Sequence, residues 1–153
     1  METDSKAMQA KCSNFAERVA AIFDQAPFIK FLGIQFKECA PGYCETFLVP
    51  EPQHLQQDDV VHAGVVATLA DHTAGGAAGT LIGEDEIVLT VEFKINLLRP
   101  AKGEKLIAKA KVIKPGKNLS IAESEVWSHS KEGPKLVAKA MVTLAVVAPL
   151  AAR

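Results

Sequence analysis

Residues 62–83, HAGVVATLADHTAGGAAGTLIG, constrain the fold of this chain more than any other stretch. The run has no proline and no β-branched pair beyond Val65-Val66, so it reads as a helix. Small or apolar residues occupy its whole circumference apart from Asp71 and His72. A helix of that kind is built to be buried on several sides. Gly75, Gly76 and Gly79 cost helix propensity, and close backbone approach is the expected return. The run is long enough to cross a bilayer. Asp71 and His72 at its centre, and the amphipathic strands around it, argue for burial inside a protein instead.

The flanking pattern says what buries it. Residues 1–7 read as a loose tail, and Phe15, Val19, Ile22 and Phe23 place an amphipathic helix over 8–25. Pro27 opens a short helical turn through Leu32, ended by Gly33. Strands are expected at 34–39 and 43–49 about the Ala40-Pro41-Gly42 turn, then a loop to Asp59. After the buried helix come strands near 87–97, 105–112, 119–128 and 136–146, with hairpin signals at Pro115-Gly116-Lys117-Asn118 and Lys131–Pro134. Ala108, Ala110, Ala122, Ala138 and Ala140 fall on one face, so the sheet is expected to curl tightly around the helix. The fold class is α+β, an antiparallel sheet around a central helix with an additional N-terminal helix. The expected division is a tail and helix over 1–25 and a single domain over 26–148.

Composition narrows the function. With 17 Lys and Arg against 18 Asp and Glu, the net charge is -1, so no nucleic-acid partner is expected. Cys12, Cys39 and Cys44 form no CxxC, and the N-terminus carries no apolar signal core. A cytoplasmic, membrane-free protein is the expectation. No HxxxH or HExxH spacing is present, so no metal is expected.

Asp71 is the residue that points to chemistry. A carboxylate in the middle of a helix with no other acid, Lys or Arg must be solvated by a cavity, partnered or protonated. Desolvation would raise its pKa toward the range of a general base. The alternative is an Asp on a wet stripe. His62 starts the helix, and the free N–H groups of a first turn can hold a developing oxyanion. The alternative there is an ordinary cap. His72 points about 100° away from Asp71 and reads as a packing residue.

Residues 62–71, HAGVVATLAD, resemble the signature of the hotdog-fold acyl-CoA thioesterases, in particular the PaaI-like group, which typically reads His-Gly-Gly, six residues, then Asp. The strand TVEFKINLLRPA, the KPGKN hairpin and the final KLVAKAMVTL strand resemble their counterparts in that family. The resemblance implies a hotdog fold, chains paired as homodimers or homotetramers, and hydrolysis of an acyl- or aryl-CoA to free acid and CoA. CoA is then part of the substrate, and no separate cofactor is implied. It also implies that Asp71 is the general base or nucleophile, that the Ala63 N–H polarises the thioester carbonyl, and that His62 shapes the helix start. Gln56 stands where the family often has Asn, and Thr90 where it often has Ser or Thr. By strict alternation, Thr90 falls on the polar face of its strand.

Ala63 and Asp71 are eight residues apart, about 12 Å along a helix. One carbonyl carbon cannot lie within about 3 Å of both, so joint action on one substrate requires two chains. Gly64, Arg99, Lys114, Lys117 and Asn118, with Lys102, are the candidates for binding substrate, the cations being placed for CoA phosphates. Two other readings remain open from the sequence. One is a non-catalytic acyl-CoA-binding protein; the other is a hotdog hydratase or dehydratase.

Overall fold

The computed structural model describes residues 8–149. The 1–7 tail lies outside them. Helix α1 spans Phe15–Gln25, seven residues later than the start expected at Met8. Its apolar stripe begins only at Phe15, and the preceding segment instead packs Met8 and Cys12 onto the core. Pro27, at the first position of a helix, opens the five-residue α2 (Pro27–Phe31).

Strands β1 (Gln35–Ala40) and β2 (Tyr43–Leu48) form a hairpin closed by Pro41 and Gly42, whose φ of 79° suits glycine. The central helix α3 spans Ala63–Gly79 and ends four residues before the small-residue run does. Its end is pinned where the Thr80 hydroxyl accepts from the Gly42 N–H at 2.7 Å. Four strands follow: β3 (Ile87–Leu97), β4 (Lys105–Lys114), β5 (Leu119–Ser130) and β6 (Gly133–Val147). All pairings are antiparallel in the order β1-β2-β4-β5-β6-β3, which leaves β3 at an edge.

This sheet wraps α3, which touches all six strands. The five alanines anticipated on one face are all buried against the helix side. Their small volume lets the sheet close on the Gly and Ala residues of α3, and Leu69 and Val66 fill the remaining space. A hydroxyl pair, Thr46 and Thr73 at 2.6 Å, ties β2 to α3. On the outer face, Lys109 and Lys111 face solvent as expected, and Lys111 pairs across strands with Glu123 at 2.9 Å. His72 packs, as expected, edge-on against Phe23 of α1 with ring centroids 4.6 Å apart. Burial lowers its pKa to about 4, so it stays neutral.

The three glycines of α3 do not share the purpose expected of them. A methyl added at Gly76 would lie 2.8 Å from Cys44 Sγ and 3.3 Å from Phe23 Cε2, so close approach explains that glycine. A methyl at Gly79 would make ordinary contact with Val19, at 3.5 Å. At Gly75 it would meet nothing nearer than Leu144 Cδ2, at 4.0 Å. Gly75→Ala should therefore raise the unfolding free energy by about 1 kcal/mol through helix propensity. Gly76→Ala should lower it by about 1–3 kcal/mol through overpacking. Urea unfolding of the two variants checks the opposite signs.

Candidate active site

The entrance to α3 is assembled by backbone hydrogen bonds. The His62 N–H donates to the His54 carbonyl at 2.8 Å, and the Val61 N–H donates to that of Ala101 at 3.0 Å. The His62 ring caps the helix, its Nδ1 accepting from the Gly64 N–H at 2.9 Å. That bond occupies the Gly64 donor. The N–H of Ala63 meets no acceptor among the described residues, and Ala63 is exposed. One free donor therefore remains at the positive end of a 17-residue helix, the arrangement suited to holding a developing oxyanion.

This donor opens into a pocket of about 310 Å³. Gln56, Ala63 and Arg99 share its wall with the apolar Val66, Leu97 and Val137. Gln56 is held by its own backbone N–H, which donates to Val60 at 2.8 Å. The Arg99 guanidinium donates to the Leu136 carbonyl at 2.9 Å. The sequence reading passed over His54 because no spacing linked it to another ligand-type residue. It is 1% exposed, and its Nδ1 accepts from the Glu51 N–H at 3.0 Å while its carbonyl anchors His62. Its signal was a short turn: Glu51-Pro52 with His54 two residues further on, at the end of a 3-10 helix.

Asp71 lies elsewhere, two turns along α3. It is half-buried, and its Oδ1 accepts from the Thr90 hydroxyl at 2.8 Å. Thr90 reaches it because of a bulge. The β3–β6 register shifts between Thr90 and Glu92, where one extra residue, Val91, has no partner. Before the shift, Val88 and Thr90 pair with Val146 and the buried Leu144; after it, Phe93 and Ile95 pair with Val142 and Ala140. Both sets face the helix. Strict alternation put Thr90 on the opposite face, and the bulge corrects that placement. Burial raises the Asp71 pKa above its ordinary value, and the Thr90 bond partly offsets the rise.

The remaining candidates do not form one cluster. Arg99 and Lys102 lie beside the Ala63 pocket, whereas Lys114, Lys117 and Asn118 belong to the β4–β5 hairpin at the other end of the sheet. Along β6, Leu136 near Arg99 and Ala145 near the hairpin are nine residues apart, about 30 Å. Neighbouring cations in the folding pattern were thus separated by strand length.

The chain matches the thioesterase superfamily pattern over residues 58–135, which includes Ala63, Asp71 and Thr90. It belongs to the thioesterase superfamily. A thioesterase family protein from Silicibacter pomeroyi is 33% identical, with a TM-score of 0.86 over 88% of this chain and 99% of that one. The Escherichia coli protein YigI, a medium/long-chain acyl-CoA thioesterase, is 25% identical over 69% of this chain and 77% of its own length. The E. coli PaaI protein, 23% identical with a TM-score of 0.77 over 88% of this chain and 95% of that one, shares the fold. The architecture is the hotdog fold and the enzyme is a thioester hydrolase. Among the described residues of this thioesterase, no helix is long and apolar enough to cross a membrane.

The raised pKa of Asp71 carries a stability consequence. A carboxyl whose pKa is higher folded than unfolded weakens the fold as it ionises, and this cost is fully present above the raised value. Asp71→Asn keeps an acceptor for Thr90 and removes the charge. Its melting temperature at pH 7 should exceed the wild type's by a few degrees. The difference should shrink as pH falls through the raised value toward 3.8, the ordinary one. Thermal melts at several pH values check both the sign and the window.

Proposed function

We propose that this thioesterase hydrolyses acyl-CoA thioesters at two equivalent sites in a homodimer, each combining Ala63 of one chain with Asp71 of the other. The observation that carries the reading is the division of the machinery. A free helix N-terminal donor in a pocket and a carboxylate of raised pKa sit on one rigid helix, about 12 Å apart by helical rise. A second copy supplies the missing half of each.

The edge strand supports pairing. Within the single chain β3 leaves Leu89, Val91, Phe93 and Leu97 between 43% and 60% exposed, beside an unpaired row of backbone N–H and C=O groups. A strand with that composition is stable in water only when covered. Antiparallel pairing of two β3 edges about a two-fold axis sets the start of one strand beside the end of the other. The partner's β4–β5 hairpin then comes to the Ala63 pocket. Arg99 of one chain and Lys114, Lys117 and Asn118 of the other would converge on the CoA phosphates.

In the reaction, the thioester carbonyl oxygen accepts from the Ala63 N–H, and Gln56 and Arg99 border the bound substrate. The partner's Asp71 delivers a water, or its own carboxylate oxygen, to the carbonyl carbon, with Thr90 fixing the carboxylate's orientation. Negative charge on the tetrahedral oxygen is held by the helix N-terminus. Collapse breaks the C–S bond and the CoA thiolate leaves, taking up the proton that Asp71 removed from the water; where the carboxylate itself attacked, water then hydrolyses the Asp71–acyl anhydride to the free acid and restores the carboxylate. The relation to YigI favours medium- and long-chain acyl groups.

Complementation tests the shared site. Asp71→Asn should remove the attacking group, and Ala63→Pro should remove one N–H at a helix position that accepts proline. The His62 backbone, φ -59° and ψ 138°, already suits a residue before proline. The proline variant is expected to lower kcat by roughly 10²–10³-fold, the effect of losing an oxyanion donor. Thiol release should be negligible for either homodimer. A mixed dimer places both lesions in one site and leaves the other intact, so it should recover about half the wild-type activity. Mixed dimers as inactive as their parents would reject the two-chain site.

A further inference from the structure

Helix α1 does not close completely on the core. Between it, the Gly75–Gly79 face of α3 and the start of β3 runs a groove of about 420 Å³. Val19 and Ile22 form one wall, Val88 another, and Ile82 lies toward the end. Asp71, Gly75 and Gly79 recur every fourth residue and share one side of α3, and Ile82 follows three residues beyond its end. Across from them, Thr90 and Val88 are two apart on the helix-facing side of β3. The groove therefore begins one helical turn beyond Asp71 and two residues from Thr90, neither of which lines it.

Its far end is stoppered. The Arg18 guanidinium donates to the carbonyls of Gly83 at 3.0 Å and Glu84 at 3.2 Å, and the Glu86 carboxylate accepts from the Gly83 N–H at 2.6 Å. From Asp71 to Gly79, the last residue of α3, the helical rise is about 12 Å. Successive carbons of an extended chain advance about 1.25 Å, given C–C bonds near 1.5 Å. Nothing packs against the open side of Gly75, where a methyl would find its nearest neighbour at 4.0 Å. Its absent side chain leaves open space in the groove one helical turn from Asp71.

We infer that this groove takes the acyl chain of the substrate, an unbranched chain of about ten carbons, with Gly75 and Gly79 as its floor and the Arg18–Glu86 end as its length stop. The inference rests on the acyl-CoA thioesterase reading. It adds the part of the molecule that measures the substrate: the added N-terminal helix is one wall of the specificity pocket. A side chain at position 75 shortens the channel without touching the Ala63 pocket or the Asp71–Thr90 bond.

The experiment has two readouts. The first is kcat/KM for butyryl-, octanoyl-, decanoyl- and lauroyl-CoA with wild type, Gly75→Ala and Gly75→Leu, each checked by thermal denaturation. Loss of contact for about two methylenes corresponds to roughly a tenfold change. The decanoyl-to-butyryl ratio should fall by that much in Gly75→Leu and by less in Gly75→Ala, which the open space around Gly75 accommodates. The second is equilibrium binding of decanoyl-CoA and acetyl-CoA to Asp71→Asn, with and without Gly75→Leu, in the absence of turnover. Decanoyl-CoA should bind more tightly than acetyl-CoA, and Gly75→Leu should abolish the difference. A folded Gly75→Leu protein with an unchanged chain-length ratio would overturn the groove, as would equal binding of the two thioesters to Asp71→Asn. If wild type released no thiol from any thioester while the binding preference and its loss were observed, the groove would stand and the hydrolysis reading would fall.

Discussion

Contact between small residues of α3 and alanines of the sheet is the constraint on which the rest of the molecule depends. Ala108, Ala110, Ala122, Ala138 and Ala140 replace the larger side chains usual between a helix and a sheet, and Gly76 admits Cys44 and Phe23 at close range. The strands can therefore curl round the helix rather than lie flat beneath it, and α3 meets every one of them. A helix so enclosed has few places to carry a polar group. Asp71 occupies the side that faces the edge strand, where a bulge brings Thr90 round to meet it. The same packing that hides the helix aims its one carboxylate at the strand left free to pair.

The rigidity of α3 also dictates how chemistry must be divided. A helix cannot bring its first turn and its third to one atom, so the Ala63 N–H and the Asp71 carboxylate stay apart within a chain. In the proposed homodimer a two-fold axis would exchange the ends and bring the two groups together. The cations behave likewise: Arg99 and the Lys114–Asn118 hairpin lie at opposite ends of one sheet, the separation that antiparallel pairing of edge strands reverses.

The cost of that arrangement is visible in single residues. Asp71 is held with a raised pKa because it is half-buried, and Gly75 interrupts a helix for no packing reason. Each weakens the fold locally where an Asn or Ala would not. Both lie on the stripe that borders the groove beneath α1, so the two concessions share one side of one helix.

Local patterns in the sequence were enough to determine the elements and their inner faces. The all-round small residues of 62–83 declared a buried helix, the alternating alanines marked the face that receives it, and Asp71 stood out as the only acid there. HAGVVATLAD and the later strand motifs carried the family. Tertiary structure decided what depended on distance in space. Strict two-residue alternation gave Thr90 the wrong face because a bulge is a property of strand pairing, invisible in one strand read alone. The bond from the Gly64 N–H to the His62 ring depends on the cap's rotamer and not on spacing. Met8 to Asn14 continue a helical-looking sequence yet pack as an irregular segment, since Met8 and Cys12 gain more from burial than from propensity. The glycines were identical letters in one run; only the neighbours of each showed that Gly76 is packed and Gly75 faces open space. Side-chain periodicity is a short-range property and survives in sequence, whereas the free space around a residue is set by chain segments distant from it.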